Sequence, residues 1–383
     1  MDALEGARVM AAMSGGVDSS VAALLLREAG VEVAGVTLRM FGNEVLSLGA
    51  DSSCCSLGDV EDARQVAFSL GLEHFTFNFT EVFGREVMDR FCASYLCGRT
   101  PNPCIDCNRY VKFRALQERR RQLGFDFVAT GHYARRRFDE KDGRWKLLRG
   151  VDAAKDQSYV LYHLSQDDLA HMLFPVGGLT KPEVRALAAE RGLVNAKKPE
   201  SEDICFVPDG DYAAFIRRYC GQRAAEGDVA WAQTCRHGGV EAAFEPGPIV
   251  DADGRVLGEH QGLVRYTIGQ RRGLGVAVGE PLYVLAKDVD KNELVVGPRE
   301  ALLVREVCAE DLNLIGVERL DEPLRVTAKT RYRHHDQPGW AVVEDGLLRM
   351  RFDEPLVRPA SGQSLVLYEG DVVVGGGTVV SAV

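Results

Sequence analysis

A glycine- and hydroxyl-rich loop, Ser14-Gly15-Gly16-Val17-Asp18-Ser19-Ser20, has the clearest chemical character in the chain. Apolar residues precede it and good helix formers follow it up to Gly30, which predicts a strand, a loop and a helix. The two glycines let main-chain N–H groups approach an anion closely, and the helix N-terminus adds partial positive charge. Asp18 suits a phosphate that arrives together with Mg²⁺. The loop therefore predicts a phosphate-binding site.

Cysteines are the second set of candidate residues. Cys104 and Cys107 form a C-x-x-C pair in a loop that Pro101 and Pro103 stiffen. Zinc, a redox dithiol and an iron–sulfur cluster all use such a pair, and the spacing does not choose among them. Cys205 follows two lysines and a proline, and nearby cations lower the pKa of a thiol. Its spacing alone favours a core thiol over a catalytic one.

Strands that alternate with helices must position these residues in the first half of the chain. Strands are predicted at residues 31–38, 74–79 and 125–130, and helices at 59–70 and 81–96. This alternation predicts a parallel, doubly wound sheet, which binds ligands at the carboxyl ends of its strands. After about residue 218, short strands between turn residues predict a small central domain and a C-terminal β-barrel.

Composition limits the class of protein. A chain of 383 residues suits two or three domains. Its net charge of −10 argues against non-specific nucleic-acid binding, although basic clusters such as residues 331–335 suit a directed RNA surface. No signal-peptide pattern and no apolar run of membrane-spanning length are present, so we expect a cytoplasmic protein with no membrane partner. The ten cysteines are then expected as reduced thiols or cluster ligands.

The loop at Ser14 resembles the PP-loop, S-G-G-x-D-S, of ATP pyrophosphatases, which cleave ATP to AMP and pyrophosphate. Essentially the whole chain resembles the tRNA-specific 2-thiouridylases, which place sulfur on the wobble uridine of certain tRNAs. Besides the loop, the matching motifs lie at residues 98–103, 107–108, 130–133, 155–159, 173–177, 204–206, 258–262, 268–275 and 331–332.

This resemblance implies an α/β fold with a doubly wound parallel sheet, followed by a small central domain and a C-terminal β-barrel. The catalytic domain would span residues 1–207, the central tRNA-binding domain 208–281 and the barrel 282–383. ATP, with Mg²⁺, would be bound by Ala12, Met13, Ser14, Gly15, Gly16, Val17, Asp18, Ser19, Met40 and Gly131. The tRNA would be contacted by Asn102, Pro103, Cys104, Lys155, Asp156, Gln157, Arg331 and Tyr332, with His132 and Gln363 in supporting positions.

The resemblance also implies a reaction at U34. Adenylation of the uridine C2 oxygen creates a leaving group, and a persulfide on Cys205 then attacks C2 and expels AMP. Cys107 attacks the sulfur bridge and frees 2-thiouridine, which leaves a disulfide with Cys205. The sulfur would come from a donor such as a cysteine desulfurase or a sulfur-relay protein.

One position departs from the family pattern. Many relatives carry Asp, thought to be an acid–base group, where this chain has Cys104. Either that help is dispensable, or Cys104, Cys107 and Cys205 ligate a [4Fe–4S] cluster with one open iron. A PP-loop ligase acting on a small metabolite would need neither Cys107 nor Cys205, and a non-catalytic RNA-binding or iron–sulfur carrier protein would not need the Ser14 loop. We expect Asp18→Ala to abolish turnover and leave the fold intact, because Asp18 would bind metal rather than pack.

Overall fold

The computed structural model describes residues 4, 6–41, 57–199, 204–226, 239–276 and 278–383. The strands described in its N-terminal half are β1 (Arg8–Ala12), β2 (Glu32–Arg39), β3 (Glu73–Asn78), β4 (Phe127–Ala129), β5 (Ala134–Asp139), β6 (Arg144–Arg149) and β7 (Met172–Leu173). Five of them form a parallel sheet in the order β3-β2-β1-β4-β7. This sheet confirms the predicted α/β fold class.

Helices connect the strands of this sheet and continue into the second half of the chain. The described α-helices span Val17–Glu28, Leu57–Ser69, Thr80–Phe83, Arg90–Leu96, Pro103–Asp106, Leu116–Leu123, Gln166–Ala170, Lys181–Glu190, Tyr212–Ala225 and Gly239–Ala242. Gly84–Asp89 and Cys107–Ala115 are π-helical, and Ser158–Leu161, Leu263–Arg265 and Arg299–Leu302 are 3-10 helices.

Burial explains the apolar sequence of the central strand, β1. β1 lies between β2 and β4, and its residues Val9, Met10 and Ala11 are completely or almost completely buried. A continuous apolar run is typical of a parallel strand whose two faces are both covered. The chain leaves this strand through the glycine loop and enters the helix Val17–Glu28, beyond which Gly30 adopts a positive φ of 75°.

A four-stranded sheet forms the middle of the molecule. Its strands are β8 (Gly247–Val250), β9 (Val256–His260), β10 (Tyr283–Asp288) and β11 (Glu293–Gly297), in the order β10-β11-β8-β9. The barrel was expected to begin at residue 282, but β10 and β11 belong to the four-stranded sheet. The barrel strands of this region therefore begin after β11. The physical reason is a shared apolar core, in which Ile249 packs with Val284, Leu294 and Val296.

The C-terminal strands form the predicted antiparallel barrel. They are β12 (Leu303–Asn313), β13 (Leu324–Lys329), β14 (Gln337–Glu344), β15 (Leu347–Val357), β16 (Ser364–Glu369) and β17 (Val372–Ala382). The order is β12-β15-β14-β13-β16-β17-β6-β5, and an additional β12–β17 pairing closes the barrel. The hairpin β5–β6 joins this sheet where Leu148 pairs with Val372. The N-terminal half of the chain thus contributes two strands to the barrel sheet.

One hydrophobic cluster connects the three parts. It contains Met10 of the parallel sheet, Phe91 from the helix Arg90–Leu96, Phe244 and Val264 from the middle part, and Tyr368 of the barrel. The parallel sheet therefore packs directly against the two parts that follow it. Within the described residues, every helix is too short or too polar to cross a membrane.

Candidate active site

The chain changes direction across the sheet between β1 and β4. From β1 it continues to β2 and β3 on one side, and it later returns to form β4 and β7 on the other. Such a switch point opens a crevice at the carboxyl ends of the strands. Ala12 and Met13 leave β1 there, Met40 follows β2, and Gly131 follows β4 after Thr130. The structure thus brings predicted nucleotide-binding residues from three strands to one edge.

Two glycines at this edge have no room for a side chain. Gly15 has a φ of 74°, and a Cβ atom placed on it would lie 2.3 Å from the carbonyl oxygen of Asp59. A Cβ atom on Gly131 would lie 2.6 Å from the backbone nitrogen of Ser19. Both distances are far below van der Waals contact. Glycine at these two positions therefore lets the loop pack directly against Asp59 on one side and lets Gly131 pack against the loop on the other.

Hydroxyl groups hold the loop in shape. The Ser19 hydroxyl accepts a hydrogen bond from the Ser14 backbone N–H at 3.1 Å and donates to the Gly16 carbonyl at 3.0 Å. The Asn195 side-chain amide donates to the Gly15 carbonyl and to the Ser20 hydroxyl, both at 2.9 Å. The loop is therefore preorganised by its own polar groups.

Asp18 is held by two residues from distant parts of the chain. Lys181 Nζ lies 2.7 Å and 2.8 Å from the two carboxylate oxygens, and the Tyr133 hydroxyl donates to Oδ1 at 2.8 Å. The Lys181 side chain is only 9% exposed and that of Asp18 is 30% exposed. The expectation that Asp18→Ala leaves the fold intact is therefore not supported, because this carboxylate belongs to a largely buried ion pair.

Metal ligation at this edge depends on few residues. Across the described parts of the chain, no group of three or more His, Cys, Asp and Glu side chains is arranged to hold a metal ion. The Asp18 carboxylate has about four acceptor positions, three of which are used by Lys181 and Tyr133. The Asp18 carboxylate therefore keeps about one acceptor position for a further ligand.

The cysteine loop lies beside this edge. Asn102 caps the helix Pro103–Asp106, since its side-chain oxygen accepts a hydrogen bond from the Cys104 backbone N–H at 3.2 Å. Cys104 is exposed, whereas Cys107 is buried and its Sγ lies 3.9 Å from the Met40 sulfur. Cys107 also begins a π-helix, a distortion common at functional sites. The structure therefore places a candidate catalytic thiol against a candidate nucleotide-binding residue.

The barrel supports the cysteine loop from outside. The Gln363 side-chain amide donates to the Thr100 carbonyl at 2.8 Å, and the Thr100 N–H donates to the Ser361 carbonyl at 2.8 Å. Gly362, with a φ of 91°, would carry a Cβ atom 3.2 Å from the Thr100 carbonyl oxygen. Gln363 therefore positions the backbone that leads into the helix Pro103–Asp106.

Cys205 is held by its neighbours. It is half-buried and packs against the same hydrophobic cluster that contains Cys107. The next residue, Phe206, makes edge-to-face contacts with Phe83 and Phe91 at centroid distances of 5.8 Å and 5.2 Å. These ring contacts anchor the segment that carries Cys205.

The candidate iron–sulfur ligands Cys104, Cys107 and Cys205 do not form a ligand group within the described residues. Cys104 is exposed, Cys107 is buried and Cys205 is half-buried. They therefore do not fit a [4Fe–4S] cluster in this arrangement. Cys97 corrects the expectation of reduced thiols throughout, because it is disulfide-bonded.

His132 is a neutral group near the nucleotide edge. Burial and, to a smaller extent, the charge of Lys112 lower its pKa to about 3. Its Nδ1 is hydrogen-bonded to the Thr130 hydroxyl at 2.9 Å, and its ring packs against Phe113 at 5.8 Å. The imidazole is therefore uncharged at neutral pH and suits a positioning role.

Asp106 is the carboxylate beside Cys107. Burial raises its pKa to about 6, although Arg90 and Arg109 act in the opposite direction. Its Oδ1 lies 3.8 Å from Arg90 Nε. A carboxyl group with this pKa exchanges its proton near neutral pH.

The segment at residues 155–157 divides into buried and accessible positions. Asp156 is buried, and its carboxylate accepts hydrogen bonds from the Gly150 and Ser158 backbone N–H groups at 3.1 Å. Gln157 accepts from the Tyr133 backbone N–H at 3.0 Å. Lys155 is only partly buried. Asp156 therefore shapes this segment from within, while Lys155 reaches the surface.

Arg331 and Tyr332 lie on the barrel side of the site. The Arg331 guanidinium is half-buried, and its Nη2 has no hydrogen-bond partner within the described chain. Burial lowers the pKa of Arg331, although the nearby Tyr159 partly opposes this. The Tyr332 ring lies 6.0 Å from that of Tyr159. An unsatisfied guanidinium of this kind suits an anionic ligand such as phosphate.

Family models match three successive parts of the chain. Residues 7–209 match the tRNA methyl transferase HUP domain, residues 239–298 the tRNA methyl transferase PRC-barrel domain, and residues 304–379 the aminomethyltransferase beta-barrel domain. The first match alone covers more than half of the chain.

Curated relatives align along nearly the whole chain. A tRNA-specific 2-thiouridylase of Moorella thermoacetica is 50% identical over 373 residues, covering 97% of this chain and 99% of its own. The chain belongs to the tRNA-specific 2-thiouridylase family. The homologous 2-thiouridylase of Heliobacterium modesticaldum is 48% identical over 97% of this chain and 92% of its own. An NMN synthetase structure from Francisella tularensis matches 59% of this chain and 80% of its own at 18% identity, with a TM-score of 0.34, which is too low to argue from.

Sequence reasoning missed three residues around the nucleotide loop of this 2-thiouridylase family member: Tyr133, Lys181 and Asn195. Tyr133 lies in the motif at residues 130–133, but its spacing from Asp18 in the sequence does not predict the hydrogen bond between them. Lys181 follows Thr180, whose capping box with Glu183 marks the start of a helix. The sequence around Lys181 therefore predicts a helix start and gives no indication of a contact with Asp18. Asn195 lies in a turn region that carries no motif.

The Asp18–Lys181 ion pair predicts a stability effect. Asp18→Ala should lower the free energy of unfolding by about 1–3 kcal/mol, because Lys181 and Tyr133 lose a largely buried acceptor. A double-mutant cycle with Lys181→Met, measured by urea unfolding, should give a coupling of similar size. The exposed pair Glu28 and Arg191 is the control, and its Ala and Met variants should couple by less than about 1 kcal/mol. Equal coupling energies in the two pairs would contradict the assignment of Asp18 and Lys181 as a largely buried ion pair.

Asp106 predicts a dependence of stability on pH. The folded pKa of about 6 lies above the ordinary value of 3.8, so the folded state favours the protonated carboxyl. Its contribution to the free energy of unfolding is present below pH 4 and is lost as the pH rises to 6, amounting to at most about 3 kcal/mol. Urea unfolding of Asp106→Asn should lack this decline, while the exposed control Glu118→Gln should retain it. If the free energy of unfolding depended on pH in the same way for Asp106→Asn and the wild type, the raised pKa of Asp106 would be refuted.

Proposed function

We propose that this chain converts the wobble uridine U34 of tRNA to 2-thiouridine, consuming ATP and releasing AMP and pyrophosphate. The supporting observation is the contact between Cys107 and Met40, which joins the cysteine loop to the nucleotide edge. Relatives that align over nearly the whole chain are named tRNA-specific 2-thiouridylases. A ligase of a small metabolite would need neither the C-x-x-C loop nor the barrel that supports it.

The nucleotide edge would bind ATP and direct its α-phosphate toward the base. Gly15 and Gly131 hold the loop against its supports, and the ATP contacts would come from residues 12–19, Met40 and Gly131. Mg²⁺ would arrive with ATP and neutralise phosphate charge. Transfer of AMP to the uridine C2 oxygen turns a poor leaving group into a good one, and pyrophosphate departs.

Sulfur transfer would use two thiols. A persulfide on Cys205 attacks C2 with its terminal sulfur, and the C2–O bond breaks as AMP leaves. The Cys107 thiolate then attacks the Cys205 sulfur of the bridge, and the S–S bond breaks with its electron pair on the product. The result is 2-thiouridine and a Cys107–Cys205 disulfide, which a reductant must open before the next turnover. A cysteine desulfurase or a sulfur-relay protein in the cytoplasm would supply the persulfide sulfur.

The RNA would meet both the N-terminal half and the barrel. Asn102, Pro103 and the exposed Cys104 would face the extruded base, since anticodon bases leave their stack readily. Lys155 and Arg331 would bind phosphate, with Gln157 and Tyr332 adjoining. Asp156 contributes by shaping its segment, because its carboxylate is occupied internally.

The proposal predicts a pattern among cysteine variants. Cys107→Ser and Cys205→Ser should each lose 2-thiouridine formation while still binding ATP, because the nucleotide loop is unchanged. Cys104→Ser should retain activity, since an exposed neighbour of the base transfers no sulfur. Cys308→Ser, which changes a free thiol in the barrel, is the control. The measurement is 2-thiouridine in digested tRNA, together with AMP and pyrophosphate.

Three results would contradict the proposal. Release of ADP and phosphate would exclude a pyrophosphatase reaction. Full activity in Cys205→Ser would exclude the persulfide. Activity that appears only after iron–sulfur reconstitution, with complete loss in Cys104→Ser, would replace the persulfide scheme with cluster chemistry.

A further inference from the structure

The barrel strand β12 contains a bulge near its end. Glu310 pairs with Thr378 and Asn313 pairs with Gly376, so three steps along β12 match two steps along β17. Such an extra residue interrupts the ladder of hydrogen bonds and redirects a side chain. Asp311 lies within the bulge and has a φ of 52°, in the left-handed region that residues other than glycine rarely adopt. The backbone at Asp311 is therefore held in an uncommon conformation.

Glycines of β17 make room for this bulge. A Cβ atom on Gly377 would lie 2.7 Å from the carbonyl oxygen of Glu310, and one on Gly375 would lie 2.4 Å from the carbonyl oxygen of Asn313. Neither distance leaves space for a side chain. The two strands therefore approach each other closely on both sides of Asp311, and this close approach fixes the place of the bulge in the barrel.

The side chain of Asp311 reaches the π-helix that begins at Cys107. Arg109 Nη2 donates to Asp311 Oδ1 at 3.1 Å, and Arg109 Nη1 donates to Oδ2. A bidentate pair of this kind fixes the orientation of the two groups as well as their distance. The hydrogen bond with Arg109 lowers the pKa of Asp311, so the carboxylate is charged at neutral pH. The barrel therefore holds the π-helix within its first turn after Cys107.

Two amide side chains hold the same region. The Asn108 side chain donates to the Val160 carbonyl at 3.0 Å. The side chain of Asn313, at the end of β12, donates to the Leu164 carbonyl at 2.9 Å. The segment 160–164 therefore joins the end of β12 to the start of the π-helix, and it supports the same arrangement as the pair of Asp311 with Arg109.

We propose that Asp311 is a positioning residue for sulfur transfer, which orients the Cys107 thiol toward Cys205 by holding Arg109. The inference rests on the proposed function, because it takes Cys107 as the thiol that opens the persulfide bridge. Asp311 acts through Arg109 and the helix backbone and is not itself a catalytic residue. A displacement of about 1 Å at a reacting group can cost about 10²-fold in rate. Loss of the pair should therefore slow the attack by Cys107.

The test compares Asp311→Gly with Asp345→Gly in the full-length protein. Glycine accepts a positive φ, so Asp311→Gly should keep the bulge and remove only the carboxylate. Asp345 is a matched control, because it also has a φ of 52° and lies exposed in the turn between β14 and β15. Asp311→Asn tolerates the same backbone and can still accept a hydrogen bond from Arg109, so it is the conservative variant.

The first measurement needs neither ATP nor tRNA. Each protein is equilibrated with oxidised and reduced glutathione, where glutathione disulfide oxidises the two thiols to a Cys107–Cys205 disulfide and is itself reduced to two glutathione thiols. Mass spectrometry of unreduced peptides gives the equilibrium constant for this disulfide. Asp311→Gly should lower the constant about tenfold, because the two thiols are less well oriented. Asp311→Asn should recover most of the loss, and Asp345→Gly should match the wild type.

The second measurement is the rate of 2-thiouridine formation in tRNA. In Asp311→Gly, kcat should fall about tenfold while KM for tRNA stays unchanged, because the pair orients a thiol and does not bind the RNA. Arg109→Met should lower kcat to the same extent, and the double variant should lower it no further, because each change removes the same pair. Thermal unfolding checks the fold of every variant, and Arg109→Met carries the test should Asp311→Gly not fold.

Four results would overturn the inference. They are a disulfide equilibrium and kcat like those of the wild type in a folded Asp311→Gly variant, a raised KM for tRNA with unchanged kcat, an equal loss in Asp345→Gly, and additive losses in the double variant.

The two measurements separate this inference from the proposed function. If the wild type forms the Cys107–Cys205 disulfide and Asp311→Gly weakens it, but no 2-thiouridine is made, the proposed reaction fails and the positioning role stands. If the wild type makes 2-thiouridine and Asp311→Gly behaves like the wild type in both measurements, the positioning role alone fails.

Discussion

Two backbone contacts without space for a Cβ atom determine the geometry of the nucleotide edge. Gly15 lies against the carbonyl of Asp59, and Gly131 lies against the first turn of the helix Val17–Glu28. The first contact joins the loop to the helix Leu57–Ser69, and the second joins it to the strand on the other side of the switch point. A larger side chain at either position would push the loop away from its supports.

The cysteine loop depends on a different part of the molecule. Thr100 is hydrogen-bonded to Ser361 and Gln363 of the barrel, while Cys107 contacts Met40 beside the parallel sheet. The segment from Thr100 to Cys107 therefore connects the barrel with the parallel sheet. This arrangement makes the barrel a structural support of the cysteine loop. Gln363, far along the chain, is part of this support through its hydrogen bond to the Thr100 carbonyl.

The sequence predicted local structure more fully than long-range pairing. The strand, glycine loop and helix at Ser14 were predictable because adjacent residues determine them. The ion pair of Asp18 with Lys181 was not, because no periodicity links residues so far apart, and the polar Lys181 became nearly buried only through packing. The position of β10 was also missed, since its alternating pattern suits either neighbouring sheet. Its pairing with β11 next to β8 depends on the core around Ile249.

The hairpin β5–β6 has a consequence for how the chain is made. Its strands are synthesised early, yet β6 pairs with β17, the last strand of the chain, at Leu148 and Val372. During synthesis the β6 edge has no partner until β17 emerges from the ribosome, and an unpaired strand edge is prone to wrong pairing. The N-terminal half therefore cannot complete its native hydrogen bonds while the chain is still growing. Completion of the barrel is a late event that depends on residues translated long after β6.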